Sequence, residues 1–240
     1  MKKILTTLLM ALLPIAVFAA SPEDDVNFYV KKFSQGQSFD LYTIESLGWK
    51  GISDPRVFDL IEQRANQFAA DGANDSVIRK QVAWYIRALG FSGQFKYSST
   101  IQQFMSDRSY RGYADDALED LPSYEKWNPL ISNRATFDPQ YSDDVNRILN
   151  MLRSDDFGLK KIGAKRIYYQ NKEPVLLDAL ADQIKVNYMD VDPKHSDTIA
   201  WMVKGLGSAK QPKYRELLQE VAWNARDKAV VRHAKNELTR

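Results

Sequence analysis

The chain has 240 residues, 33 Lys and Arg against 31 Asp and Glu, 44% hydrophobic residues and no cysteine. Lack of cysteine excludes a disulfide scaffold, a thiolate nucleophile and a thiolate-ligated metal. Balanced charge argues against a surface built for nucleic acid.

Met1-Lys2-Lys3 is a short basic start, and Ile4 to Leu13 is an apolar run too short to span a bilayer. Val17-Phe18-Ala19 then places small residues at −3 and −1 of a cleavage point. The three features together predict a signal peptide over residues 1–19, and with it a periplasmic location. Removing Lys2 and Lys3 leaves 31 basic residues against 31 acidic ones. No second long apolar segment follows, so no membrane span is expected.

The remainder contains an internal duplication. Val82-Ala-Trp-Tyr-Ile-Arg-Ala-Leu-Gly90 matches Ile199-Ala-Trp-Met-Val-Lys-Gly-Leu-Gly207, with four of nine residues identical. Lys96-Tyr97 pairs with Lys213-Tyr214 at the same spacing. Upstream, Phe39-x-Leu41 matches Phe157-x-Leu159, and Asp24-Asp25-Val26-Asn27 matches Asp143-Asp144-Val145-Asn146. The expected organisation is a first three-hairpin unit over 20–121 and a second over 143–240. Residues 122–142 contain Pro122, Pro129 and Pro139 without helical periodicity and read as a linker or insertion.

Ser38, Asp75, Asp107, Asp156, Asp192 and Asp227 each precede an apolar periodic stretch. A short side-chain oxygen there accepts the unpaired N–H groups of a first helical turn, so the six predict six N-caps. Positions three, seven and eleven beyond each cap share one helix face. For Asp75 they are Ile78, Val82 and Ile86; for Ser38 they are Leu41, Glu45 and Trp49. Amphipathic stretches lie between these helices. About twelve helices in six hairpins are expected, an all-α superhelix, with no alternating strand pattern in competition.

Asp107-x-x-Tyr110-Arg111-x-x-Ala114-x-x-Ala117-Leu118 and Asp75-x-x-Ile78-Arg79-x-x-Val82-Ala83 resemble the HEAT-repeat family in its short bacterial form. Asp156-x-x-Leu159-Lys160 is close; Ser38, Asp192 and Asp227 begin segments that depart from the pattern. The resemblance implies a solenoid whose second helices line a concave side, stabilised by stacking of hairpins. It further implies an adaptor that recognises a protein or peptide.

Trp84 and Trp201 occupy equivalent places off the core stripe. Lys80 and Arg87 flank the first, Asp197 and Lys204 the second. Exposed aromatics beside charges suit recognition, so these six residues are the candidate concave-face binding set. The alternative is that both tryptophans pack between repeats. Asp190-x-Asp192-x-x-His195-x-Asp197 collects possible ligands for a hard cation. Asp192 and His195 already serve the helix frame, so no metal is expected there. His233, the other histidine, reads as a solvated surface group on a basic helix. Trp127, Phe137 and Tyr141 in the proline-containing segment predict that it packs on the solenoid and lids the groove. The chain reads as acidic near 115–125 and basic along the second copy.

No nucleophile elbow or phosphate-cradling glycine loop is present, and no cofactor is called for. The leading expectation is an exported, non-catalytic adaptor for a protein or peptide. The alternative is a periplasmic enzyme acting on cell wall or glycans, its carboxylates gathered in a helical cleft.

Overall fold

The computed structural model describes residues 22–34, 40–189 and 192–239, and the leader expected over 1–19 lies outside them. Twelve α-helices make up the described chain: α1 (Pro22–Ser34), α2 (Leu41–Lys50), α3 (Pro55–Phe68), α4 (Ser76–Phe91), α5 (Ser98–Gln103), α6 (Arg111–Ile131), α7 (Asp143–Arg153), α8 (Phe157–Tyr169), α9 (Pro174–Asn187), α10 (Ser196–Gly207), α11 (Arg215–Asn224) and α12 (Lys228–Thr239). The fold is all-α, and no strand occurs among the described residues. The even-numbered helices form an inner layer: α2 packs on α4, α4 on α6, α8 on α10 and α10 on α12.

The aspartate frame starts these helices. Asp75 Oδ1 accepts from Val77 N at 2.7 Å, Asp156 Oδ1 from Leu159 N at 3.0 Å, and Asp227 Oδ1 from Val230 N at 3.0 Å. Asp107 and Asp192 cap the short turns leading into α6 and α10, through Ser109 N and Lys194 N. Each such bond removes an unpaired donor and is worth about 1 kcal/mol.

The first repeat departs from the sequence reading. Ser38 lies outside the described residues, and the N-cap of α2 is Asp40, which accepts from Tyr42 N at 3.1 Å. The buried face of α2 is therefore Thr43, Ile44 and Leu47, while Glu45 and Trp49 are only partly covered. Counted from Asp40, Trp49 stands nine residues beyond its cap, as Trp84 does beyond Asp75 and Trp201 beyond Asp192. The tryptophan slot thus occurs three times rather than twice.

The duplication extends to side-chain geometry. Asp59 accepts from Lys96 Nζ and Tyr97 Oη, both at 2.7 Å; Asp178 accepts from Lys213 Nζ at 2.5 Å and Tyr214 Oη at 2.9 Å. One triad ties α3 to the turn before α5, the other α9 to the turn before α11.

The segment expected as a linker is largely helix. α6 runs on through Pro122 and Pro129 to Ile131. A proline inside a helix removes one hydrogen bond and leaves the carbonyl four residues back unpaired. Both prolines are exposed, so neither ring sits in the buried face. The opposite face, Leu121, Tyr124, Asn128 and Ile131, is buried. Tyr124 Oη donates to Gly48 O at 3.0 Å, and Asn128 Nδ2 donates to Phe91 O at 2.9 Å and Ser92 O at 3.1 Å. The second half of α6 therefore crosses the C-terminal ends of α2 and α4 and delivers the chain to α7.

Two cores result, one built on α1–α6 and one on α7–α12. A smaller cluster of Ile131, Met151 and Leu159, with Trp49 and Trp127 against it, joins them. The second unit meets the first repeat of the first unit. Lys50 Nζ lies 2.5 Å from Asp144, Arg147 pairs with Asp25, and Arg166 stacks on Trp49.

Candidate functional site

That junction leaves a cleft of about 460 Å³ between the units. Three elements of the first unit line it. α2 gives Glu45 and Trp49, α4 gives Trp84 and Arg87, and α6 gives Asp120 and Trp127. Across from them stand Lys161 and Lys165 of α8. The size falls within the range of sites for small organic molecules.

Arg87 and Asp120 form the polar base of the first wall. Their Nη1 and Oδ2 atoms lie 2.5 Å apart, and Arg87 Nε is 3.8 Å from Asp116. Burial pushes the Asp120 carboxyl above the usual carboxylate range, against the opposing pull of Arg87. Arg87 also lies over Phe91, 5.1 Å from the ring centroid. Trp84 packs on the first core and meets Tyr113 edge to face at 6.1 Å. The indole N–H of Trp127 is buried without an acceptor among the described residues.

The second wall is cationic and poorly neutralised. Lys161 pairs with Asp197 at 2.6 Å. Lys165 of this wall, Arg166 next to it in the sequence and Lys204 on the adjoining surface of α10 make no ion pair among the described residues and rest on rings instead. Arg166 lies 3.5 Å from the Trp49 centroid; Lys204 and Lys165 lie 3.6 Å and 5.0 Å from that of Trp201. Burial, and after it the charges of Lys161 and Lys204, lower the Lys165 ammonium below its ordinary value despite Asp197 nearby.

The candidate set divides between two places. Trp84 and Arg87 line the cleft. Asp197, Trp201 and Lys204 form the adjoining surface of α10, linked to the cleft through Lys161 and Lys165. Lys80 is exposed one turn before Trp84 and does not line the cleft. Both tryptophans are half-buried, so packing and a free edge coexist. The candidate set left out Trp49, and it left out Trp127, expected to pack over the groove, and Lys161 and Lys165, read as part of the basic second copy. The signal for Trp49 was the Asp40 register, and for Lys161 and Lys165 their places five and nine beyond Asp156.

The possible cation loop is dispersed. Asp192 caps a turn, His195 stacks on Phe157 at 4.0 Å, and Asp197 pairs with Lys161, while Asp190 lies outside the described residues. Among the described residues no three metal-ligating side chains gather. Phe137 lies against Arg134, and Tyr141 packs on the second core. Trp127 alone of the three linker aromatics reaches the cleft. Among the described residues no helix is long and apolar enough to cross a membrane.

No protein-family model matches the chain, and no curated protein matches it. Among solved structures it is similar to human deoxyhypusine hydroxylase in complex with glycerol, at 11% identity and a TM-score of 0.38, over 92% of this chain and 85% of that one. This finding runs against the expectation of a non-catalytic adaptor, because the solved structure it names is that of an enzyme. The glycan-acting alternative gains nothing either, because a similarity this slight carries no activity across. Of the two cleft carboxylates, moreover, Asp120 is bound to Arg87.

Proposed function

We propose that the cleft between the two units binds a small amphipathic anion, a molecule with a planar or apolar body and at least one negative group. The observation that carries this reading is Lys165. It is half-buried, has no carboxylate partner among the described residues, and faces a wall holding three tryptophans. Taking an ammonium out of water without a counter-charge is costly. An anion in the cleft removes that cost and the repulsion from Lys161 and Lys204. The apolar body then fits among Trp49, Trp84 and Trp127, with an acceptor for the unpaired Trp127 N–H.

The leader expected over residues 1–19 would place this cleft outside the cytoplasm, in the periplasm of a bacterium. The aspartate frame supports a divergent HEAT-type ancestry, with residues 20–121 and 143–240 as the two copies.

The test compares two dyes of one shape, anilinonaphthalene sulfonate and its uncharged analogue N-phenyl-1-naphthylamine, titrated into the protein lacking residues 1–19. The expected result is saturable binding of the sulfonate with quenching of tryptophan emission, and much weaker binding of the neutral dye. Lys165→Met keeps the apolar stem and should weaken the sulfonate about tenfold, equivalent to about 1.4 kcal/mol. Equal affinity for both dyes, or no effect of K165M, would reject the reading.

A further inference from the structure

The shared frame allows the two inner layers to be compared slot by slot, and they differ in charge. In the first unit α4 carries Arg87, twelve residues beyond its cap. The next helix answers with Asp116 and Asp120, both within ion-pair distance. In the second unit the same place on α10 is Lys204. The next helix has Asn236 where α6 has Asp116 and Thr239 where it has Glu119 (the place of Asp120 is Arg240, outside the described residues). Lys204 consequently has no carboxylate partner among the described residues and lies over the Trp201 ring at 3.6 Å.

α12, which packs on α10, adds further positive charge. Arg232 stands five beyond Asp227, the slot that Lys161 holds beyond Asp156, and it is exposed. His233 follows at the slot of Tyr113, the residue that meets Trp84 in the first unit. The charged groups acting on His233 are Lys204 and Asp197 of α10 and Arg232 and Glu237 of α12. Asp197 is already bound to Lys161.

We infer that Lys204, Arg232 and His233, grouped beside Trp201, form a second anion site, separate from the cleft, for a compact soluble molecule bearing several phosphate or carboxylate groups. Lys204 of α10 and Arg232 of α12 both act on His233, α10 packs on α12, and the slots of Asp116 and Asp120 hold Asn236 and Arg240 instead of acids, with Glu237 the acid left on this stretch of α12. A multivalent anion takes the place of those acids. A compact ligand is favoured because the three residues lie on adjacent helices of one unit. Burial, then Lys204 and Arg232, hold the His233 imidazole below its ordinary value, so it is neutral at pH 7 and gains its proton on acidification. Anion affinity therefore rises as pH falls.

The test uses inorganic tripolyphosphate, titrated calorimetrically into the protein lacking residues 1–19, at pH 5 and pH 7.5. Binding should be tighter at pH 5, and His233→Asn should remove that gain, leaving only the opposite weakening that comes from protonation of tripolyphosphate itself. Asn236→Asp restores the first unit's acid at an exposed position. It should weaken tripolyphosphate about tenfold without lowering the melting temperature. Lys204→Met should do the same. Anilinonaphthalene sulfonate binding in the cleft should be unchanged by N236D. Failure of tripolyphosphate to bind, or binding indifferent to both N236D and K204M, overturns the second site. In either case the dye titration separately reports whether the cleft reading stands.

Discussion

The guanidinium of Arg166 lies 3.5 Å from the centroid of the Trp49 ring and joins α8 of the second unit to α2 of the first. Both side chains are partly buried, and Arg166 also donates to Gln170. A stacked guanidinium in a sheltered setting is worth about 1–2 kcal/mol. Lysine lacks the flat face that makes the stack. Arg166→Lys should therefore cost nearly as much as Arg166→Met, lowering the melting temperature by about 2–6 °C. A thermal melt of the two variants checks this. A lysine variant as stable as the parent would show that charge, not stacking, holds the contact.

On the same junction Arg147 is almost fully buried and pairs with Asp25, Asp143 and Asp144. Removing one partner of a buried network leaves the others uncompensated, at about 3–5 kcal/mol. Arg147→Ala should be among the most destabilising single changes in the chain by urea unfolding. The network also sets an acid limit. Burial alone would raise the Asp144 carboxyl, but the hydrogen bond from Lys50 and the charges of Lys50 and Arg147 outweigh it and hold the group below the usual range. A carboxyl lowered by folding contributes stability above its unfolded value of about 4. That contribution is lost as pH falls through the folded value. Lys50→Met should flatten the decline in stability below about pH 4 relative to the parent.

Glycines offer a sharper packing test. A Cβ at Gly90 would lie 2.6 Å from Ala117 O and 2.7 Å from Ala117 Cα, so α4 and α6 could not keep their approach. Gly112, exposed in the first turn of α6, has nothing within 4 Å of the same atom. Gly90→Ala should lose about 1–3 kcal/mol or more through overpacking. Gly112→Ala should gain about 0.5–1 kcal/mol from helix propensity and reduced freedom of the unfolded chain. Paired urea titrations decide both.

The contrast between local and long-range causes explains what the sequence made legible. Caps are local: Asp75, Asp156 and Asp227 sit within three residues of the N–H groups they bind, so the frame and the twelve-helix fold could be read directly. The register of α2 was misread because Ser38 and Asp40 are both capping residues, two apart, and Trp49 looked like a core residue. The cleft was hidden because its walls meet over long separations. Tyr42 reaches Gln170 and Lys50 reaches Asp144 across about half the chain. Nothing periodic in α8 announces that it faces α2. Polarisation was visible as a charge trend, but the loss of acids opposite Lys204 emerges only when the slots are aligned on the structure.

The prolines of α6 give the last test, because they broke the helix in the sequence reading and do not break it in the fold. Each removes a backbone hydrogen bond, and an interior proline costs about 3 kcal/mol relative to alanine in an unsupported helix. Here Pro122 and Pro129 are exposed, and the buried bonds of Tyr124 and Asn128 hold the helix between them. If that account is right, Pro122→Ala and Pro129→Ala restore a hydrogen bond without disturbing any buried contact. Each should then stabilise the protein by about 1–2 kcal/mol, less than the full penalty because proline also restricts the unfolded chain. Melting temperatures should rise by about 2–6 °C per substitution, with dye binding in the cleft unchanged, since neither proline lines it. A fall in melting temperature in either variant would mean that a proline-set bend in α6, rather than side-chain anchoring, positions Trp127 against α8.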